Sequence, residues 1–252
     1  MSCGGQRDGD DHHGAGNAVD GLLEMLFGAD HDCQRTGPLI AGTGMLDSRR
    51  IAVLGTVGRA AIGARLALAI ARGVLDIIRD APGRPILLIV DNAGQKLSRW
   101  DELVGNNGYV AHLGKVIDLA RRRGHPVVSV VVDLAVSAGF MATGMAAARC
   151  FAQPGAELRV MAAAAMARVI RIPEDRLHAI FRDSPALGPG AENFVRIGAL
   201  HAILGNDART ELAAAFDARD DGTDPRRRLG QERGGRLMAA EVAEMVRAGR
   251  ET

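Results

Sequence analysis

Two short stretches carry residue types that can hold a developing negative charge. Asp91-Asn92-Ala93-Gly94-Gln95 follows one isoleucine- and leucine-rich run, and Ser137-Ala138-Gly139-Phe140 follows a valine-rich one. Each is a small-residue corner, and Gly94 and Gly139 remove side chains that would block a ligand's approach. Where strand gives way to helix, the first N–H groups have no partner within the helix. The helix dipole is positive there as well, so an oxyanion is welcome. In a parallel sheet both corners lie on one side, and their N–H groups converge on one charge. Two ordinary turns are the competing reading of these residues taken alone.

Other chemistries are poorly supplied. No G-x-G-x-x-G opens the first predicted helix, and the sequence has no G-x-x-x-x-G-K-[ST], no H-E-x-x-H and no paired-cysteine site. Ala135-Val136-Ser137-Ala138-Gly139 approaches a nucleophile elbow without its first glycine. A hydrolase also needs a base, for which His112, His125, His178 and His201 are the candidates. The preferred reading of Ser137 is a small residue in a tight turn. Cys3, Cys33 and Cys150 form neither a disulfide framework nor a zinc ribbon, and with His12, His13 and His31 they match no recognised metal spacing.

The elements that must position the corners follow from pattern. Val127, Val128, Val130, Val131 and Val132 mark a strand covered on both faces, and Ile86 to Val90 marks a second. Leu39–Leu46 and Ile51–Thr56 flank a polar turn as a hairpin. Helices are predicted over Ala60–Asp80, Trp100–Arg123, from the Ser137 corner to Arg149, Met161–Ile170 and from Pro173 to Phe181. Cys150–Gln153 and Glu157–Met161 read as short strands, and Ser184–Gly190 as a loop. Residues 1–37, rich in Gly, Asp and His, read as a flexible tail in which Val19–Phe27 has amphipathic spacing. Residues 206–252 read as a polar helical extension, with helices near Asp207–Arg219 and Arg236–Arg247 and a linker at Asp220–Gly235. Strand–helix alternation over 38–205 gives an α/β domain with parallel pairing. Periodicity alone does not separate a doubly wound sheet from a superhelix of repeated ββα units.

Composition narrows the function. The chain has 252 residues and a net charge of +1, which gives no electrostatic reason to expect nucleic acid or anionic lipid. Trp100 and Tyr109 are the only residues of their kinds, so aromatic stacking on single strands is not provided for. The stretch from Pro126 to Arg149 is long and nearly uncharged. Within a membrane Asp133 would cost roughly 2.5–3.5 kcal/mol, and the switch from valine to alanine suits a strand and a helix better. No signal peptide is visible, and cytoplasm is the expectation.

From Pro85 to Gly198 the sequence resembles the gamma subunit of biotin-independent malonate decarboxylase. The resembling stretches are G-R-P-I-L-L-I-V-D-N-A-G-Q, R-W-D-E-L, A-H-L-G, I-D-L-A-R-R-R-G-H, S-A-G-F, A-E-L-R-V-M, A-M-A-R-V and S-P-A-L-G-P-G-A-E-N-F. The resemblance implies a crotonase-like (ClpP/crotonase) carboxyltransferase fold and a complex with a beta subunit. It implies decarboxylation of a malonyl thioester to an acetyl thioester and carbon dioxide, on a small acyl-carrier (delta) subunit. The carrier's coenzyme-A-like prosthetic group is not attached to this chain, which is expected to bind no cofactor covalently and no metal. Carried onto this sequence, the catalytic positions are Gly94, Ala138 and Gly139, and the substrate-binding positions are Asn92, Gln95, Ser137 and Phe140. Such subunits are expected to carry S-G-G-F, whereas position 138 here is alanine, which disfavours a left-handed backbone there. Loss of carbon dioxide leaves an enolate, and backbone donors aimed at its oxygen contribute roughly 10²–10³-fold each. An acyl-CoA hydratase or isomerase of the same superfamily is one alternative, and a non-catalytic scaffold for the beta chain is another.

Overall fold

The computed structural model describes residues 12–183, 188–235 and 238–249. It opens on α1 (His12–Phe27). Val19, Leu22, Leu23, Leu26 and Phe27 are all buried in one core cluster with sheet residues such as Val53, Leu87 and Val130. The expectation of a flexible tail over 1–37 is therefore corrected for the part described. Polar flanks set the average composition of that stretch, but a handful of apolar residues on one helix face set its packing.

Next come β1 (Gln34–Thr36), β2 (Leu39–Leu46) and β3 (Arg49–Thr56), paired antiparallel in order. Asp47 and Ser48, the two loop residues between β2 and β3, both have positive φ (49° and 66°), as a tight hairpin demands. β4 (Ala60–Ile62) is a short strand where helix was expected, and α2 (Ala64–Asp80) starts only after Gly63. β5 (Ile86–Gln95) follows, then α3 (Arg99–Leu103) and α4 (Asn106–Arg122). The expected single helix over Trp100–Arg123 breaks at Gly105, whose φ of 75° is left-handed. β6 (Val127–Val136) leads into α5 (Ser137–Ala142), β7 (Arg149–Ala152) and β8 (Glu157–Arg159).

β3, β5, β6 and β7 form the parallel centre of the sheet, and the two middle strands change partners along their length. β5 pairs with β3 through Ile86–Ile89 and with β4 through Asn92 and Gln95. β6 pairs with β7 through Val128–Val131 and with β8 through Leu134–Val136. Between these halves the register slips. Val90 faces Val131 but Asn92 faces Ala135, so β6 advances four residues while β5 advances two. Repeated units in which the far end of each strand turns away with a new short partner match the expected ββα architecture. α2 and α4 cover one face with Ala67, Ile70, Val74, Leu113 and Ile117, and α1 lies on the other.

The C-terminal third comprises α6 (Ala163–Ile170), α7 (Glu174–Asp183), α8 (Ala191–Arg196), β9 (Ala202–Ile203), α9 (Ala208–Asp217), α10 (Arg226–Glu232) and α11 (Ala239–Ala248). Part of the predicted loop at Ser184–Gly190, residues 184–187, lies outside the described residues. α9 buries Leu212 and Phe216 in the α1 cluster. The predicted linker at Asp220–Gly235 is corrected to an arginine-clamped segment containing α10. Arg121 pairs with Asp220 through two bonds of 2.8 and 3.3 Å. Arg226, nearly buried, donates to the Ala147 carbonyl, and Arg233 donates to the carbonyls of Val195, Leu200 and His201. Arginines in the stretch that read as a linker instead satisfy main-chain carbonyls of neighbouring elements. No helix among the described residues is long and apolar enough to cross a membrane.

His201 lies within this clamp, accepting the Cys150 N–H on Nδ1 at 3.1 Å. Burial, with the charges of Arg226, Arg149 and Arg233, lowers its pKa from 6.5 to about 4. The unfolded imidazole therefore takes up its proton first as pH falls. Its stabilising contribution is complete above the ordinary value of 6.5 and is lost progressively down to about 4. Thermal midpoints of the wild type should fall relative to a non-titrating His201→Asn variant across that window, and parallel curves would refute the assignment.

Candidate active site

The β5 corner is not a turn after a strand but the strand's own last half, held by β4. Asp91 and Asn92 are fully buried there, and Gly94 has a φ of 87°. Asn92 Oδ1 accepts the Gly94 N–H at 3.2 Å. The amide of Gly94 is thus engaged within the chain.

The β6 corner is sharper. Val136 is extended, and Ser137, the first residue of α5, then takes a φ of 48°. The left-handed residue is therefore Ser137, and the Ala138 side chain is accommodated in helical backbone, so the departure from S-G-G-F costs the corner little. A left-handed residue followed by right-handed ones turns successive N–H groups toward one concavity, the geometry of an anion-binding nest. α5 spans only six residues, so local N–H groups, not a long helix dipole, would supply the charge stabilisation.

The corners meet. A Cβ built on Gly139 would come within 2.8 Å of Gly94 Cα and would collide with Asn92 Oδ1. A Cβ on Gly94 would lie 3.1 Å from the Val136 carbonyl oxygen. Side-chain bonds tie the two corners further. Asn92 Nδ2 donates to Thr143 Oγ1 (3.4 Å), and the Thr143 hydroxyl donates to the Gly139 carbonyl (2.7 Å). Thr143 was not singled out from the sequence; its only signal is one hydroxyl in an apolar stretch.

Of the expected substrate contacts, Ser137 is exposed, and Gln95 is half-buried with its amide 3.4 Å from Glu102 Oε1. Asn92 and Phe140, the other two, are buried within the chain. Phe140 is 2 % exposed and packs edge-on against Phe194, with ring centroids 5.9 Å apart. Beside the β5 end lies a cavity of about 450 Å³ lined by Arg65, Lys96, Trp100 and Asp101, with the Arg65 guanidinium 5.2 Å from the Trp100 ring centre.

No histidine among the described residues hydrogen-bonds Ser137. His125 Nδ1 bonds the Arg84 carbonyl and His201 Nδ1 the Cys150 amide, while His178 lies near Glu174. Among the described residues no three His, Cys, Asp or Glu side chains are grouped to hold a metal ion.

The family model described as malonate decarboxylase gamma subunit matches residues 57–250. A relative from Malonomonas rubra, malonyl-S-ACP:biotin-protein carboxyltransferase MADD, is 26 % identical over 262 aligned positions, covering 96 % of this chain and 87 % of its own. Among solved structures, a Pseudomonas malonate decarboxylase hetero-tetramer in complex with coenzyme A is similar with a TM-score of 0.74 and 23 % identity, over 90 % of this chain and 97 % of that one. A Pseudomonas malonate decarboxylase MdcD-MdcE hetero-dimer is similar with a TM-score of 0.70 and 24 % identity over the same shares.

Proposed function

Because the chain belongs to the malonate decarboxylase gamma-subunit family, we propose that it works with a beta subunit to decarboxylate a malonyl thioester borne on an acyl-carrier subunit. Its fold is the crotonase-like carboxyltransferase fold. The observation that carries the reading is the contact of the two glycine corners, Gly139 against Gly94, at the ends of β5 and β6. In the reaction the bond between the carboxyl carbon and the methylene carbon breaks. Its electron pair moves onto the thioester carbonyl oxygen, and a proton then completes the acetyl group. The beta subunit holds the thioester, and the nest at Ser137–Gly139 faces the carboxyl group.

A grip equally strong in substrate and transition state gives no acceleration. The corner's contribution is therefore orientation. The breaking bond must stand perpendicular to the thioester plane for its electrons to enter the carbonyl, and a fixed carboxyl group holds it there. Lys96 and Arg65 are the cations of this chain suited to the phosphates of the carrier's coenzyme-A-like arm. Leu97, two residues past β5, and Met141, on α5, exposed by 84 and 63 %, are suited to cover by the beta subunit. We place this work in the cytoplasm.

The test is conversion of malonyl to acetyl thioester on the carrier, followed by mass spectrometry. The isolated chain should be inactive and prone to self-association, and the co-purified pair active. Ser137→Ala in the pair should retain most of its turnover, because the backbone and not the hydroxyl is assigned the work. A well-behaved lone chain that decarboxylates unaided, or an acyl group trapped on Ser137, would sink the proposal.

A further inference from the structure

Asp91 is the one carboxylate in a strand half whose neighbours are otherwise apolar or amide. It is fully buried, and it accepts backbone N–H groups from two separate elements. Oδ2 accepts from the Arg59 N–H at 2.9 Å, and Oδ1 accepts from the Leu134 N–H at 3.4 Å. Gly58 and Arg59 form the turn at which the chain leaves β3 for β4, both with positive φ (73° and 50°). Leu134 closes the stretch where β6 gains two residues on β5. These are the two bends at which the strands exchange partners, and one carboxylate fastens both.

A second link runs in parallel. The Arg59 guanidinium makes two bonds, of 2.7 and 3.1 Å, to Asp133 inside the same bulge. Position in the chain gives these ties their consequence. Asn92 directly follows Asp91, and Ala135, Val136 and Ser137 directly follow the bulge. The spacing of the two glycine corners is therefore set by how tightly bulge and turn are held. A carboxylate suits the task because it offers only acceptors, whereas an amide would aim N–H groups at N–H groups. Burial pushes the Asp91 pKa up, the Arg59 N–H opposes that rise, and the nearby Asp133 adds to it.

We propose that Asp91 is a positioning residue for the decarboxylation, one that fixes the separation of Asn92–Gly94 from Ser137–Gly139 through the Gly58–Arg59 turn and the β6 bulge. This rests on the reading of the corners given above. The test is Asp91→Asn in the complex with beta and carrier subunits, read by hydrogen exchange and by steady-state kinetics. Exchange should quicken in segments 56–62 and 132–140 and not elsewhere. Per folded complex, kcat should fall about 10- to 100-fold with KM within about twofold, the mark of lost orientation. Asp133→Asn, which cuts only the outer link, should move both readouts the same way by less, and it carries the test if Asp91→Asn does not fold. Unchanged exchange in both segments would overturn the proposal. So would exchange raised evenly over the chain with kcat per folded complex unaltered. Were the wild-type complex inactive on malonyl thioesters, the functional reading would fail while the exchange arm still decided whether Asp91 couples the two bends.

Discussion

Gly139→Ala is expected to cut turnover of the assembled complex about 100-fold, because one methyl group displaces the corner by a good part of an ångström. The added Cβ would meet Asn92 Oδ1 and stand 2.8 Å from Gly94 Cα, and neither is the free end of a flexible side chain. Asn92 is buried and bonded to Gly94 and Thr143, so it cannot swing aside. The neighbouring position is the control. Ala138 already carries a Cβ in helical backbone, so Ala138→Gly should leave turnover close to wild type. The two variants differ only in which corner residue gains or loses one carbon. Overpacking of this kind costs about 1–3 kcal/mol of stability, which the fold can bear if the complex still assembles. Near-normal turnover in an assembled Gly139→Ala complex would remove the corner from the mechanism and favour a scaffold role for this subunit.

The two corners were legible in the sequence because the strands before them are buried on both faces, and continuous apolar runs announce that condition. Their convergence followed from parallel pairing. The manner of contact was not legible. Asp91-Asn92-Ala93-Gly94 has the composition of a turn, yet it is strand, because Asn92 and Asp91 satisfy their polar groups across elements instead of in water. That satisfaction depends on the β6 bulge, whose one mark in the sequence is the lone charge of Asp133 in an otherwise apolar stretch, and a single charge does not by itself announce two extra residues. The helix expected up to Arg149 stops at Ala142, where the Thr143 hydroxyl turns back on the Gly139 carbonyl. The amphipathic spacing of Val19–Phe27 did point to a helix, but the glycine and aspartate around it made the stretch read as a tail instead of a packed element. The stretch read as a linker at Asp220–Gly235 is ordered for a reason side-chain type does not show: only tertiary contact shows that Arg226 and Arg233 donate to carbonyls of other elements.

Phe140 carries the other large effect, through its packing. α5 is six residues long, and so short a helix has no stability of its own. What fixes it is the Phe140 ring, packed in one cluster with Val90, Val131, Cys150 and Phe194. Gly144 leaves room for that ring, since a Cβ there would come within 2.6 Å of Phe140 Cδ2. Phe140→Ala should therefore destabilise the protein by about 3–5 kcal/mol. The thermal midpoint should drop by roughly 10 °C for a chain of this size. Turnover should fall too, since the Ser137–Gly139 backbone loses the anchor one residue beyond it. Phe140→Leu retains most of the volume and should lose less of both. A residue that instead touched the substrate would show a raised KM with an unchanged midpoint. That result for Phe140→Ala would return Phe140 to the ligand's side of the corner and would require α5 to be held by something other than its ring.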